Sequence, residues 1–203
     1  MALFVDGDGI EARAPRHATV AEIEAFILEK ERWIRKRLAA PRRRPLVWQV
    51  GTKLPWMGRI VTLVLRHGET GVRLSDDKLE FGLADGAGLR ERTLEWMKER
   101  ALEFFIERVA ELARLHGFRA SSVGLSNANT RWGSCGCNGR ILLNWRLMML
   151  PPRLIDYVAV HELAHLRELN HSPRFWDTVS LLYPAHQSAR RELNALAPTL
   201  PDL

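Results

Sequence analysis

The chain has 203 residues, 46% hydrophobic and 27% charged, with a formal net charge of +6, and is long enough to bury a core as one large domain or two small ones. No window reaches the ~18 consecutive apolar residues of a membrane helix, and the start MALFVDGDGI lacks the basic segment and unbroken apolar run of a signal peptide. The two cysteines, Cys135 and Cys137, are separated by one residue and make a poor disulfide pair, so a cytoplasmic protein in a reducing compartment is expected.

Residues 2–14 read as a hairpin turning at Asp6-Gly7-Asp8-Gly9. That cluster lacks the further ligands and closing Glu of a calcium loop, which leaves a turn. A helix is expected from Thr19, where Thr19 and Glu22 suit a capping box and Ile23, Ile27, Ile34 and Leu38 recur at helical spacing. The basic runs Arg35-Lys36-Arg37 and Arg42-Arg43-Arg44 read as a solvated helix face and its linker, with weak nucleic-acid binding as the alternative. Strand-like runs follow at 46–50, 59–66, 71–75 and 78–83. Together these segments make an N-terminal β-rich module over 1–86. A composition shift at 84–88 is the boundary candidate for a second domain, 87–203, with a loop inside one continuous domain as the alternative.

A long helix is predicted from Leu89 to His116, with Leu102, Phe105, Ile106, Val109, Leu112 and Ala113 on one face and Gly117 as its stop. Residues 121–127 and 140–150 read as strands around the glycine-containing loop NTRWGSCGCNG. Pro151-Pro152 ends the second strand, and Pro152 suits the first turn of the next helix.

That helix carries His161-Glu162-Leu163-Ala164-His165, an H-E-x-x-H pattern. At 3.6 residues per turn, positions i and i+4 are about 40° apart around the axis, so both imidazoles reach one ion. Glu162 projects one residue round, where a carboxylate can work on a water without displacing it. The helix is predicted to end near Leu169, with Asn170 in the left-handed conformation, and the next to begin at Ser172 with Pro173 in its first turn. His171 is then pinned between two helices as the third ligand, leaving the fourth zinc position open, as catalytic sites do. Cys135 and Cys137 are rivals for that third position, in the manner of peptide deformylases. The spacing His161–His165–His171 equals that of metzincins, but Glu168 replaces their glycine and no Met-turn follows.

TRWGSC (130–135) and GRILLNWRLMMLPPRLIDYVAVHELAHLRELNHSPRFW (139–176) resemble the YgjP-like metal-dependent hydrolases, relatives of the WLM and SprT-type peptidases. The resemblance implies an α+β fold, a zincin-like (minigluzincin) catalytic domain behind the β-rich module. It also implies Zn2+ held by His161, His165 and His171, Glu162 as catalytic base, and peptide or protein substrates. Cys137 departs from the family, where a serine or other small residue is commoner.

The expected chemistry is zinc-assisted hydrolysis of a peptide bond, with Glu162 moving the water's proton to the leaving amine. Segment 140–150, as a sheet edge, would take the substrate by strand addition. Arg131, Tyr157, Tyr183 and His186 are candidates for stabilising the developing negative charge, while Trp132, Trp145 and Trp176 read as core. The competing readings are a binding module for nucleic acid or protein with a structural metal, and a hydrolase of a non-peptide amide.

Overall fold

A computed structural model describes residues 1–5, 10–38, 45–66, 70–82 and 86–203, in two compact units, 1–44 and 45–203. In the first, β1 (Ala2–Val5) and β2 (Ile10–Arg13) pair antiparallel with Ala2 opposite Arg13. The Asp/Gly turn of the predicted hairpin lies outside the described residues. Helix α1 (Val20–Glu29) has its predicted capping box: Thr19 Oγ1 accepts from the Glu22 N–H at 3.3 Å, and the Glu22 carboxylate accepts from the Thr19 N–H at 2.8 Å. Each side chain satisfies an N–H that the first helical turn leaves without a partner.

The single helix predicted here is two, because Lys30 turns out of helical geometry (φ −95°, ψ 6°) before α2 (Glu31–Leu38) begins. Of the predicted stripe only Ile34 is buried. From the basic runs, Arg35 pairs with Glu31 at 2.7 Å. The side chains of Lys36 and Arg37, and all of 42–44, lie outside the described residues.

The second unit opens with irregular chain. Residues 46–50 are not the predicted strand: the Thr52 hydroxyl donates to the Val47 carbonyl at 2.7 Å and accepts from the Gln49 N–H at 3.2 Å, folding the segment into a turn. Then β3 (Lys53–Trp56), β4 (Arg59–Leu65), β5 (Gly71–Ser75) and β6 (Lys78–Gly82) form a sheet in the order β3-β4-β6-β5. Strands β4 and β6 are parallel, and the other pairs antiparallel. Leu54, Trp56, Val61, Leu63, Leu79 and Phe81 alternate inward and are all buried, the period-two pattern of a half-buried sheet. Strand β3 escapes prediction because Pro55 removes a ladder donor; it is tolerated on an edge strand.

Helix α3 spans Leu89–His116 as predicted, closed by Gly117 in the left-handed conformation at φ 70°. Its buried row is Thr93, Met97, Ala101, Phe105, Val109 and Ala113, at a constant spacing of four. Ile106, predicted inward, is 47% exposed because this row sets the inner face one position round. The composition shift at 84–88 falls within this unit.

A second sheet holds β7 (Ser122–Ser126), β8 (Gly133–Cys135) and β9 (Arg140–Asn144) in the order β7-β9-β8, with β7 parallel and β8 antiparallel to β9. Strand β9 stops well short of the predicted 150. Asn144, 3% exposed, accepts from the Arg146 N–H at 3.1 Å and caps a 3-10 turn at Trp145–Met149. Helices α4 (Pro152–Ala164), α5 (Pro173–Leu182) and α6 (His186–Leu196) complete the α+β architecture. Helix α4 is the hub, packing on β8 and β9 and against α3, α5 and α6. Among the described residues, no helix is long and apolar enough to cross a membrane.

Candidate metal centre

Helix α4 buries Leu154, Ile155, Val158, Ala159, Val160, Leu163 and Ala164, so the residues between them are presented from a fixed frame. Pro152 occupies its first turn as predicted, where a missing N–H costs nothing. A two-pronged ion pair ties it to α3: Arg108 Nε to Asp156 Oδ1 at 2.6 Å and Arg108 Nη2 to Asp156 Oδ2 at 2.8 Å. The Asp156 carboxylate holds the guanidinium above its ordinary pKa against the opposing effect of burial.

The chain leaves α4 earlier than predicted. The helix ends at Ala164, and the N–H groups of Leu166, Arg167 and Glu168 turn back to the Leu163 and Ala164 carbonyls. Asn170 does not adopt the left-handed conformation. Its side-chain oxygen instead accepts from the Ser172 N–H at 3.1 Å, which curls the chain just before α5. Ser172 then caps α5, its hydroxyl accepting from the Phe175 N–H at 3.4 Å, with Pro173 in the first turn as predicted.

This loop returns His171 over α4. One ring nitrogen from each of His161, His165 and His171 lies within 4.8 Å of the others, and no cysteine shares the group. The Nε2 atoms of His161 and His171 face each other at 3.1 Å. Tetrahedral zinc with bonds of ~2.0–2.1 Å separates its nitrogens by about 3.3 Å, so this pair is already at coordination spacing. His165 Nδ1 lies 3.0 Å from the Glu168 carbonyl; donating to it leaves the Nε2 lone pair free, as in metal-bound histidines whose other nitrogen is anchored. Among the described residues, His161 Nδ1 is buried without a partner. The phenyl ring of Phe175, fully buried, floors all three imidazoles, at 4.9 Å from His161, 4.5 Å from His165 and 4.7 Å from His171.

His161 and His171 suit a cation better than protons. Burial, then the charges of His165, His171 and Arg190, push His161 down to about 3, and burial is likewise the first cause lowering His171. Neutral imidazoles with converging lone pairs are the donor set that a borderline-soft divalent ion takes. The donors present fit a metal.

Glu162, 5% exposed, leans over β8. A Cβ placed on Gly133 would stand 2.5 Å from Glu162 Oε1, so only glycine leaves room for the carboxylate there. Burial pushes Glu162 up to about 7, with Arg131 opposing. The loop before β8 is held by Asn144, whose Nδ2 donates to the Ala128 carbonyl at 2.7 Å and to the Arg131 carbonyl at 3.3 Å.

A cleft of about 460 Å³ opens over these groups, lined by β8, α4 and α6. Arg131 and Tyr157 line it; Tyr183 and His186 do not. Tyr183 donates to the Arg153 carbonyl at 2.9 Å, and His186 is buried against the Trp176 ring. Trp145 is core, and Trp132 and Trp176 pack against the core while Trp132 also lines the cleft and Trp176 stacks on His171 at 5.8 Å. Cys135 lines the cleft outside the histidine group, its thiol pushed up by burial and by Glu162. Segment 140–150 offers no open edge, since β9 is flanked by β7 and β8; the edge strand in the cleft is β8. Sequence reasoning missed β8, Gly133, Phe175, Arg190 and Asn194. Gly133 lay in a stretch the sequence singled out, the glycine-containing loop NTRWGSCGCNG.

A family model described as YgjP-like, metallopeptidase domain, matches residues 1–196. Among solved structures, the metallopeptidase zymogen abylysin of Pyrococcus abyssi is similar at 20% identity and a TM-score of 0.42, covering 47% of this chain and 98% of its own. The metallopeptidase zymogen jannalysin of Methanocaldococcus jannaschii is similar at 18% identity and a TM-score of 0.39, covering 45% of this chain and 93% of its own. No curated protein matches.

Proposed function

The chain belongs to the YgjP-like metallopeptidase family, and from that premise we propose that it is a zinc-dependent peptidase in which His161, His165 and His171 hold the ion and Glu162 is the general base. One observation carries the reading: three imidazole nitrogens converge beside a buried carboxylate at the floor of an open cleft. Zinc held there supplies Lewis acidity and lowers the pKa of a water toward ~7.

The rest is done by the chain's own groups. Next to a divalent charge the ionised form of Glu162 is favoured over the neutral form that burial alone favours. The carboxylate then takes a proton from the attacking water and passes it to the leaving amine. Gly133 keeps the space in which that carboxylate turns. An extended peptide adds to the edge of β8, its main chain pairing with the strand and its scissile carbonyl brought over α4.

The test is turnover of denatured proteins and peptides by zinc-loaded protein, against Glu162→Gln. The variant should retain one zinc and lose turnover by 10²-fold or more, on the order expected for general-base loss. Cleavage at the unmodified rate would remove Glu162 from this role. Turnover of small amides with none of peptides would move the reading to a non-peptide amide hydrolase.

A further inference from the structure

We propose that Arg190 and Asn194 of α6 form a carboxylate-binding subsite in the cleft, and that the preferred substrate presents a carboxylate, either a free C-terminus or an acidic side chain, beside the bond to be cleaved. The proposal deepens the peptidase reading and rests on it.

Arg190 and Asn194 are four residues apart on α6, so they project from one face, and both line the cleft with the three histidines. Among the described residues, neither side chain has a carboxylate or hydrogen-bond partner. Nearby, Glu192 is spent on an ion pair with Arg153. The Arg190 guanidinium is nevertheless not loose. It lies 5.0 Å from the centroid of the Trp176 ring, the ring that also stacks on His171. A planar cation held on an indole beside an amide donor is a fork suited to two carboxylate oxygens.

The electrostatics demand an anion from outside. Arg190 lines the cleft with the three histidines and rests on the indole that stacks on His171, so its charge faces the same space. A fixed cation there repels any metal ion the histidines hold. Arg131 is a second guanidinium lining the cleft. Among the described residues, the only acidic side chain lining the cleft is Glu162 itself. Two arginines and a metal against one carboxylate leave an excess of positive charge that a substrate carboxylate would neutralise. Leu193 and Leu169 line the same cleft and offer apolar contact for the residue that bears it.

Binding separates this proposal from cleavage. Zinc-loaded Glu162→Gln protein is titrated calorimetrically with alanine-based hexapeptides carrying one Glu or one Gln at each position, each made as C-terminal acid and C-terminal amide. At least tenfold tighter binding of a carboxylate-bearing peptide over its neutral counterpart is expected. The Glu/Gln pairs report a side-chain source and the acid/amide pairs a C-terminal one. Adding Arg190→Ala should abolish the discrimination, Arg190→Lys should keep part of it, and Arg190→Glu should turn the preference toward a Lys-bearing peptide. Arg190→Ala should also hold zinc at least as tightly as the parent, because a repelling charge is gone.

Equal binding of acidic and neutral peptides, no binding of either, or discrimination that survives Arg190→Ala overturns the subsite. Because the readout needs no turnover, those results leave the peptidase reading standing. Failure of unmodified, zinc-loaded protein to cleave any peptide, with discrimination intact, would sink that reading instead.

Discussion

The ring of Phe175 stacks on that of His165, their centroids 4.5 Å apart and their planes 28° from parallel. Phe175 belongs to α5 and His165 ends α4, so one aromatic contact joins the two helices on either side of the loop that brings back His171. An apolar ring beneath imidazoles also keeps water from their lower faces and fixes the directions of the nitrogen lone pairs.

Phe175→Ala should therefore damage both fold and site. Loss of a fully buried phenyl costs about 3–5 kcal/mol, read as a drop in Tm and in urea midpoint. Phe175→Leu should keep most of the fold and still weaken zinc at least tenfold, measured by competition with a chromogenic chelator. Unchanged zinc affinity in the leucine variant would show that the ring is only filler.

His171 is exposed where His161 and His165 are half-buried, so its loss should be nearly silent in the metal-free fold. His171→Ala is expected to shift metal-free stability by no more than about 0.5 kcal/mol. Zinc should nonetheless fall well below one per chain by elemental analysis. In unmodified protein, zinc at a hundred times its Kd should add about 2.7 kcal/mol, reversed by a chelator. The variant should show no such shift. Full zinc retention would send the search for the third ligand elsewhere.

Gly133→Ala tests the space over β8. A methyl group 2.5 Å from Glu162 Oε1 must push the carboxylate aside, because the new atom is anchored in a strand paired with β9. Zinc content should stay near one per chain while kcat falls by 10²-fold or more. Normal turnover would mean that Glu162 has another working position.

The Arg108–Asp156 pair should matter to stability alone. Its two short contacts lie at the α3–α4 interface, with side chains 30% and 18% exposed. Arg108→Ala is expected to cost about 1–2 kcal/mol after allowance for solvent screening. Adding Asp156→Ala should cost much less than a second such loss, since the partners share one interaction. Zinc content should not change, and a thermodynamic cycle in denaturant would check it.

How far the sequence could be read depends on whether local chemistry or distant pairing decides each element. Leu89–His116 was legible to the residue because apolar spacing builds the helix and Gly117 ends it. Thr19, Ser172 and Pro173 declared their helix starts by the same local logic, and H-E-x-x-H placed two imidazoles on one face. Strand β8 was not legible: Gly133-Ser134-Cys135 has no strand preference of its own and exists because β9 pairs with it. The end of β9 was hidden for the reverse reason, since Leu147, Met148 and Met149 look like strand but are buried in a turn that Asn144 caps. Phe175, Arg190 and Asn194 act through tertiary neighbours, and nothing in their own surroundings along the chain marks them.

Strand β8 also bears on what the molecule must avoid. An open strand edge is an invitation to any other chain with an edge of its own, and a long flat one seeds aggregation. Here the edge is three residues long, Gly133–Cys135, and all three line the cleft that α6 also lines. An edge so short offers few free main-chain groups to the edge of another folded copy. The brevity that hid this strand in the sequence thus also leaves little open edge for a second chain to pair with.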